Sequence, residues 1–367
     1  MSQQYNQVQA MWSICKAALR SIFRSPQAVF FSLFFPMVLI VIFGLLSGKG
    51  GISLDIAFDN NSDTSNAIYQ AIQQVRVLTV IKGNENDLAD RLKKGRITAL
   101  VDIRKQNPGA SKSMYDVHLK TTSASQKDLP VLQTILSEII HNINNQANPV
   151  QNAYASISTE EIPGREYSMI DFYLPGMLGF SLIGSAVFGV AFLFFSLRET
   201  LVIKRMFATP VKKGYIVLGE CIGRILFQLT TAVIIILFGR FFYHFTLANG
   251  FITFIELLIM SLLGLIVFMG FGFIISSVSK NQSVIPIYAN LFMFPQYFLS
   301  GTFFPKGLLP EGMQKIINFL PLTALNDSMR KISFEGSDLW GVRNEIGILL
   351  IWSVVIFIIA IKVFRWE

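Results

Sequence analysis

The run from Phe172 to Leu197, with the sequence FYLPGMLGFSLIGSAVFGVAFLFFSL, decides the fold class because its 26 residues include no charged side chain. A hydrocarbon core about 30 Å thick needs roughly 20 apolar residues in helical form. Over the whole chain of 367 residues, 52% are hydrophobic and 15% are charged, whereas soluble domains carry about 25% charge. The composition therefore excludes an ordinary soluble protein and indicates a helical membrane protein.

Five further stretches predict membrane-spanning helices, at residues 25–48, 216–242, 257–279, 281–305 and 346–361. The predicted fold is therefore an α-helical polytopic membrane protein with six transmembrane helices. Spans one, two, four and five contain no ionisable residue, which argues against an ion-driven secondary transporter. In the third span, Glu220 and Arg224 are four residues apart, so we expect them to form an intramembrane pair on one helix face.

The residues between the first two spans have a different composition. Residues 50–170 contain 12 basic and 13 acidic residues and one of the 33 Phe, and about 120 residues suffice for a domain with its own core. Alternating patterns predict strands at 52–58, 77–81, 97–103 and 114–121 and helices at 64–75, 87–94 and 125–145. We expect an inserted α/β domain here, followed by a polar, mobile return to the membrane over 144–163.

The insert contains few candidates for a metal site. Asp55, Asp59 and Asp63 are spaced four residues apart, but the Gly and the final Glu of a calcium-binding EF-hand loop are absent. A strand edge followed by a turn and a helix cap is the preferred interpretation. His118 and His141 are isolated from any Cys/His cluster, so we expect no metal.

Basic residues in the short connections predict the orientation. Residues 1–26 carry three basic residues and no acid, and the loop 198–214 carries five basic residues against Glu199. Because basic connections stay in the cytoplasm, we expect both termini inside and the insert outside, with no cleaved signal peptide. Residues 1–26 predict a basic amphipathic helix in the inner membrane interface, with a polar tail as the alternative.

The predicted organisation has four parts. They are a cytoplasmic interfacial helix (1–26), the first transmembrane helix (27–49), the extracytoplasmic domain (50–170) and transmembrane helices two to six (171–367).

No catalytic constellation is evident in the sequence. A phosphate-binding loop needs two Gly separated by four residues and followed by Lys and Ser or Thr. The nearest fragment, Gly48-Lys49-Gly50, lacks the leading Gly and the hydroxyl residue. We therefore expect no ATP hydrolysis by this chain, and neither a cofactor of its own nor a nucleic-acid partner.

Two segments carry more specific patterns. The first is RETLVIKRMFATPV at 198–211, a short basic amphipathic segment between the second and third spans. The second contains, in order, NQS at 281–283, Pro286, Pro295, SGTFFP at 300–305 and PLT at 321–323. Proline and glycine at this density preclude one straight helix. Because broken backbone at membrane depth must be buried in protein or line a cavity, we expect a re-entrant outer segment over 300–325.

These patterns, in this order, resemble the permeases of type-2 ABC exporters. Together with a large extracytoplasmic domain after the first span, they resemble the multidrug-resistance and lipid-export branch. The fragments IAFDN at 56–60 and LKKGRITALVDI at 92–103 resemble that domain as well. The resemblance covers essentially the whole chain.

The resemblance implies a dimeric pore-forming subunit driven by a separate cytoplasmic ATP-binding subunit, which would hold the ATP and Mg²⁺. The second membrane subunit would be another copy or a paralogue. Membrane lipid is a further contact, and a periplasmic adaptor is a possible partner. The implied location is the bacterial cytoplasmic (inner) membrane, and the implied cargo is an amphiphilic or lipid-like drug, antibiotic, lipid or glycolipid.

The resemblance also assigns roles to residues. Six residues would couple this chain to the ATPase, namely Arg198, Glu199, Lys204, Arg205, Thr209 and Pro210. Nine would shape the pore and an outer gate, namely Gln282, Pro286, Pro295, Ser300, Gly301, Phe304, Pro305, Pro310 and Pro321. The alternatives are a loop that is basic only to fix the topology and prolines that serve only backbone geometry. A non-transporting sensor or scaffold, whose outer domain binds a ligand or partner, is the alternative function.

Overall fold

The computed structural model describes residues 6–46, 54–60, 62–75, 77–93, 96–106, 113–122, 129–147, 153–162, 168–200 and 210–363. The chain divides into two compact units. The larger unit comprises residues 1–48 and 169–367, and the smaller unit comprises residues 49–168. Each unit has its own hydrophobic core.

The first predicted span is an interrupted helix. It follows α1 (Gln7–Phe23) and consists of α2 (Pro26–Val29), a π-helical turn at Phe30–Phe34 and α3 (Phe35–Leu46). Pro36 accounts for the interruption, because a proline has no N–H to donate to the carbonyl group four residues before it. Among the described residues, the apolar helix here is shorter than the four that are long enough to cross a membrane.

The smaller unit is built on a five-stranded sheet in the order β2-β1-β3-β4-β5. The strands are β1 (Leu54–Phe58), β2 (Leu78–Val80), β3 (Ala99–Lys105), β4 (Ser113–Thr122) and β5 (Ala153–Ile162). Strand β1 is parallel to β2 and β3, β4 is antiparallel to β3, and β5 is parallel to β4. The prediction of an α/β fold in this part of the chain is confirmed.

Helices cover both faces of the sheet. They are α4 (Ala67–Gln74), α5 (Glu85–Lys93) and α6 (Leu129–Ala147). Ile68 and Ile72 of α4 and Leu132 and Leu136 of α6 share a core with β1, β3 and β4. Helix α5 contributes Leu88 and Leu92 to a second, smaller core with Leu100 of β3. Because inward residues alternate along a strand, the two cores lie on opposite faces.

The prediction for residues 144–163 is wrong, because Ala153–Ile162 form β5 rather than a mobile return. The strand pairs in register with β4, placing Ile157 beside Val117. Its sequence, AYASISTEEI, has few large apolar residues, so hydropathy does not reveal it. The parallel partner reached after the α6 crossover supplies the hydrogen bonds that define this strand.

The three evenly spaced aspartates of the insert have separate structural roles. The Asp63 carboxylate accepts hydrogen bonds from the backbone N–H (2.8 Å) and hydroxyl (2.6 Å) of Ser65, just before the cap of α4. These bonds hold the pKa of Asp63 below its usual range. Asp59 lies 3.2 Å from Lys120 Nζ. Asp55 lies in β1, where burial raises the pKa of its carboxyl group.

Four helices of the larger unit are long and apolar enough to cross a membrane. They are α7 (Met169–Glu199), α8 (Lys213–Tyr243), α9 (Phe251–Val278) and, after three shorter helices, the C-terminal helix Arg343–Val363. The three shorter ones are α10 (Ile285–Leu299), α11 (Glu311–Ile317) and α12 (Pro321–Arg330), so the C-terminal helix is α13. The protein is therefore a membrane protein with several apolar helices, and the count of six spans stays a prediction.

Two buried acids correct the prediction that the second and fourth spans lack ionisable residues. Helices α7 and α9 begin several residues earlier than the uncharged windows, so they include Asp171 and Glu256, whose exposed fractions are 1% and 7%. Asp171 Oδ1 accepts a hydrogen bond from the Thr246 N–H at 2.8 Å, and the Leu339 N–H donates to Glu256. A search for charge-free windows stops at each acid, whereas the helix continues past it, and each carboxylate accepts a backbone hydrogen bond from another segment.

Candidate functional site

The fifth predicted span ends in a turn that a neighbouring helix completes. Helix α10 ends at Leu299, and Gly301 has φ +68°, a left-handed conformation that favours glycine. The Asn326 amide of α12 donates to the Ser300 carbonyl (3.2 Å) and to Thr302 Oγ1 (3.0 Å). Helix ends leave carbonyl groups without intrahelical partners, and this side chain supplies a donor to the Ser300 carbonyl at the end of α10.

A second contact joins the start of α12 to α10. The Leu322 N–H, in the first turn of α12, donates to Gln296 Oε1 at 3.2 Å. This donor has no partner within its own helix, and the first turn also contains Pro321, which is buried. The polar side chains Gln296 and Asn326 are both buried, with exposed fractions of 2% and 0%. Residues 300–320, between α10 and α12, form the broken segment. Buried hydrogen bonds between the two helices hold its ends together.

Arg330, at the end of α12, links the broken segment to α7. Its guanidinium group donates to the carbonyl oxygen of Phe172 from both Nε (3.2 Å) and Nη2 (3.1 Å), and to the carbonyl oxygen of Gly301. Its carbon Cζ lies 4.0 Å from the centre of the Phe172 ring, a distance suited to a cation–π contact. Beside this guanidinium group, Asp327 forms an ion pair with Lys306. One arginine thus connects three segments that are distant in sequence.

Glycines in α7 allow the close approach of this segment. A Cβ atom at Gly176 would lie 2.7 Å from the Thr302 carbonyl oxygen, and one at Gly179 would overlap Asn326 Oδ1. Neither contact is compatible with a side chain larger than hydrogen unless the neighbour moves. Gly176 thus leaves space for the turn after α10, and Gly179 leaves space for Asn326 of α12.

The nine predicted gate residues separate into two groups. Ser300, Gly301 and Pro321 lie at the contacts just described and are buried. The other six lie near these contacts in sequence but do not take part in them. Pro286 is in the first turn of α10, and Gln282 precedes that helix. The remaining four are exposed, namely Pro295, Phe304, Pro305 and Pro310. Sequence reasoning missed Asn326 and Arg330, although both follow the PLT motif by only a few residues.

The structure describes only part of the loop that holds the six predicted ATPase-coupling residues. Lys204, Arg205 and Thr209 fall outside the described residues. Glu199 and Pro210 are exposed. The Arg198 guanidinium donates at 3.0 Å to the carbonyl oxygen of Ser279, at the C-terminus of α9, where a cation also meets the negative end of the helix dipole.

The other end of this loop is tied to α1 by Gln7, which sequence reasoning missed. The Gln7 side chain donates to the Pro210 carbonyl oxygen (2.7 Å) and accepts from the Lys212 N–H (2.9 Å). The two residues are more than 200 positions from Gln7, so no local pattern could reveal the contact. With Arg198 at one end and Gln7 at the other, both ends of the loop 198–214 are anchored.

The predicted pair in the third span lies close together and reaches α7. Arg224 Nη1 lies 2.8 Å from Glu220 Oε2, and both side chains are largely buried. Arg224 Nε also donates to the Gly189 carbonyl oxygen in α7 at 3.3 Å. The pair therefore neutralises two charges within α8 and fixes α8 against α7.

A buried polar chain also connects the first three predicted spans. Because residue 36 is proline, the Ser32 carbonyl group lacks its α-helical donor, and the Ser181 hydroxyl of α7 donates to it at 2.5 Å. Gln228 Nε2 of α8 donates in turn to Ser181 Oγ at 2.9 Å. All three polar residues are about 2% exposed. Hydrogen bonds of this kind stabilise contacts between membrane helices.

Comparison with known proteins gives the family. A family model described as "ABC-2 family transporter protein" matches residues 27–362. ABC transporter G family member 20 of Dictyostelium discoideum is 24% identical over 375 aligned residues, which cover 96% of this chain and 50% of that protein. This chain thus spans half the length of that relative.

Two bacterial relatives match shorter stretches. Nodulation protein J of Rhizobium meliloti (strain 1021) is 29% identical over 54% of this chain and 74% of that protein. "Probable multidrug ABC transporter permease YbhR" of Escherichia coli (strain K12) is 24% identical over 46% of this chain and 45% of that protein. The family model covers both units described above, and the chain therefore belongs to the ABC-2 family of transporter proteins.

Proposed function

We propose that this chain is the membrane-spanning permease subunit of an ATP-driven ABC exporter. The observation that carries the proposal is the family match over residues 27–362, which includes the membrane helices and the smaller unit. Family membership implies a transporter subunit that works with an ATP-binding subunit. Export, the separate ATPase that would hold ATP and Mg²⁺, and a dimer with a second copy or a paralogue are the finer parts of the proposal.

The anchored loop supports coupling to the ATPase. A partner that pushes on the exposed residues Glu199 and Pro210 would act on a segment tied to α9 through Arg198 and to α1 through Gln7. Segments held at both ends transmit a rigid-body displacement rather than absorbing it. We assign the undescribed Lys204, Arg205 and Thr209 to the same docking surface by family resemblance. This assignment puts both termini and the loop in the cytoplasm of a bacterium and the smaller unit outside its inner membrane.

The cargo we propose is amphiphilic or lipid-like. Helix α10 presents large apolar side chains outward, with Leu291, Phe294 and Phe298 all more than half exposed. Such a surface suits either lipid tails or the apolar part of a cargo molecule. The name of the Escherichia coli relative points to drugs as one class of cargo. A periplasmic adaptor would extend the export route beyond the smaller unit.

Reconstitution with a candidate ATP-binding subunit tests the proposal. We expect no ATPase activity from this chain alone, and a complex whose ATPase activity is stimulated by lipophilic compounds. Glu199→Lys should lower that stimulation several-fold, because it reverses the charge of an exposed docking residue. Glu138→Lys, an equally exposed reversal on α6, is the matched control and should leave it unchanged.

Two results would count against the proposal. If Glu199→Lys and Glu138→Lys behave alike, Glu199 is not part of the docking surface. If no ATP-binding protein associates with the chain or responds to it, the sensor or scaffold function with an outer ligand-binding domain becomes the better account.

A further inference from the structure

Helix α1 is fixed to α8 by one of its faces. Cys15 and Ala18 on this face are buried. They lie against Gly223 of α8, where an added Cβ atom would be 2.9 Å from Ala18 Cβ and 3.0 Å from the Cys15 carbonyl oxygen. Gly219, one turn earlier, comes equally close to Met11. The amphipathic helix is therefore not free in the interface, and its orientation about its own axis is set by α8.

A second apolar stripe of α1 remains exposed beside the buried face. Val8, Trp12 and Phe23 are 51%, 48% and 57% exposed, and Leu19 is half-buried between them. At 100° per residue, these four side chains fall within about 60° of one another around the helix. An exposed apolar stripe of this length on a fixed helix indicates a surface that something else covers.

A basic stripe borders the exposed apolar one. Lys16, Arg20 and Arg24 follow one another at intervals of four residues, and all three are exposed. They lie directly beyond Trp12 and Phe23 around the helix. Among the residues that the structure describes, none of the three has an ion-pair partner.

The occupant that fits both stripes is a membrane surface rather than a protein. The apolar stripe ends at Phe23, next to the first apolar segment, whose own exposed residues Phe30, Phe31 and Phe34 continue the apolar surface along the chain. Phe23 also contacts the ring of Phe227 in α8 at a centroid distance of 5.1 Å. A membrane surface presents acyl chains beneath negatively charged headgroups. The acyl chains match the apolar stripe of α1, and the headgroups match its basic border.

We infer that α1 binds anionic phospholipid headgroups through Lys16, Arg20 and Arg24, with Val8, Trp12 and Phe23 inserted at the level of the acyl chains. The inference needs only that the chain lies in a bilayer, so it stands apart from the proposed export. Because α1 is fixed to α8, the bound headgroups form a site on this chain at a set position rather than a diffuse charge cloud. Each basic residue near an anionic surface strengthens the attraction about five-fold.

Trp12 provides a local probe of this lipid contact. The full chain is placed in nanodiscs of phosphatidylcholine with phosphatidylglycerol, in which one lipid or the other carries brominated acyl chains at the same mole fraction. The Trp12 signal is the difference between the wild-type chain and the Trp12→Phe variant, which removes the contribution of the other tryptophans. We expect brominated phosphatidylglycerol to quench Trp12 at least about two-fold more than brominated phosphatidylcholine, because anionic lipid is enriched there.

Two controls make the result specific. The triple variant Lys16→Gln, Arg20→Gln, Arg24→Gln should make the two lipids quench equally, and high salt should do the same for the wild-type chain. Lys280→Gln, an exposed basic residue after α9, is the matched control and should keep the preference. The salt arm needs no variant, so it gives an answer even if the triple variant does not fold.

Equal quenching by both lipids in the wild-type chain would overturn the inference, because it means no preference for anionic headgroups. Absence of quenching by either lipid would also overturn it, because the stripe would then be covered by protein. The proposed ATP-driven export would be unaffected by either outcome, since it is measured with the ATP-binding subunit and cargo.

Discussion

The guanidinium group of Arg330 lies 4.0 Å from the centre of the Phe172 ring and donates two hydrogen bonds to the carbonyl oxygen of the same residue. A third hydrogen bond reaches the Gly301 carbonyl oxygen. This arginine therefore holds the start of α7, the turn after α10 and the end of α12 in one arrangement. Any movement that separates the Leu299 end of α10 from α7 must break or carry this contact.

Replacing Arg330 with lysine should destabilise the protein more than replacing an exposed arginine with lysine. Lysine keeps the charge but lacks the planar fork that reaches two carbonyl groups at once, so we expect a loss of about 2 kcal/mol. Arg343→Lys is the matched control, because Arg343 is exposed and lies 5.8 Å from the centre of the Trp340 ring. Thermal unfolding in nanodiscs compares the two variants, and equal midpoints would show that the fork has no structural role.

Gly179→Ala should weaken the contact between α7 and α12. The added methyl group would overlap Asn326 Oδ1 and lie 2.9 Å from Leu322 Cδ1, which costs about 1–3 kcal/mol in a packed interior. Gly347→Ala in α13 is the control, since no atom lies within 4 Å of the new methyl group and alanine favours a helix. We expect the thermal midpoint to fall for Gly179→Ala and to stay or rise for Gly347→Ala. A fall of similar size in both would contradict the packing described for α7.

Ser181→Ala should destabilise the first segment at its interruption. Without the hydroxyl group, the Ser32 carbonyl loses its donor and Gln228 loses its acceptor, so we expect a cost of about 1–3 kcal/mol for buried groups left unpaired. Ser277→Ala is the control, because the Ser277 hydroxyl donates to the Phe273 carbonyl oxygen within its own helix. Hydrogen exchange of residues 30–40 should rise in Ser181→Ala alone. Unchanged exchange in that variant would mean that Ser181 does not support the break at Pro36.

Two aspartates of the smaller unit should respond to pH in opposite directions. Burial raises the pKa of Asp55 above its ordinary value near 3.8, so its ionised form destabilises the fold once the pH rises through that range. Asp55→Asn should therefore stabilise the isolated residues 49–168 at neutral pH, and the gain should shrink as the pH falls towards about 4.

Asp63→Asn gives the opposite sign. Hydrogen bonds from Ser65 lower the pKa of Asp63, so the ionised carboxylate stabilises the fold above its ordinary pKa and this contribution is lost on acidification. The variant should be less stable than the wild-type unit at neutral pH, with the difference narrowing in acid. Urea unfolding at several pH values checks both variants. If the free energies of unfolding of both variants, relative to the wild-type unit, changed with pH in the same direction, the environments assigned to Asp55 and Asp63 would be wrong.

Patterns within one element were the most predictable from sequence. The i, i+4 spacing of Glu220 and Arg224 brings them to 2.8 Å, and the density of proline and glycine coincides with the end of α10 at Leu299. Strand β5 escaped prediction because its polar sequence gains its partner only after a long crossover. Asp171 and Glu256 escaped because each carboxylate accepts a backbone hydrogen bond from a segment distant in sequence.

Contacts across long sequence distances account for the rest of the candidate site. Nothing near Gln7 indicates that it bonds to Pro210 and Lys212, and nothing near Arg330 indicates Phe172. Such contacts are set by how whole helices pack, which a single sequence does not encode in any local period. Family resemblance supplied roles for the loop residues, but the structure was needed to find the side chains that anchor the loop.

The most direct test of the central claim is vectorial transport by this chain with its ATP-binding subunit. Both would be reconstituted in proteoliposomes, with ATP and a panel of fluorescent lipophilic compounds supplied on the face that carries the loop 198–214. We predict that at least one compound moves away from that face when ATP is hydrolysed, and that the chain without the ATP-binding subunit moves none. Transport that needs a proton or sodium gradient instead of ATP, or no transport with an active ATP-binding subunit bound, would contradict the account.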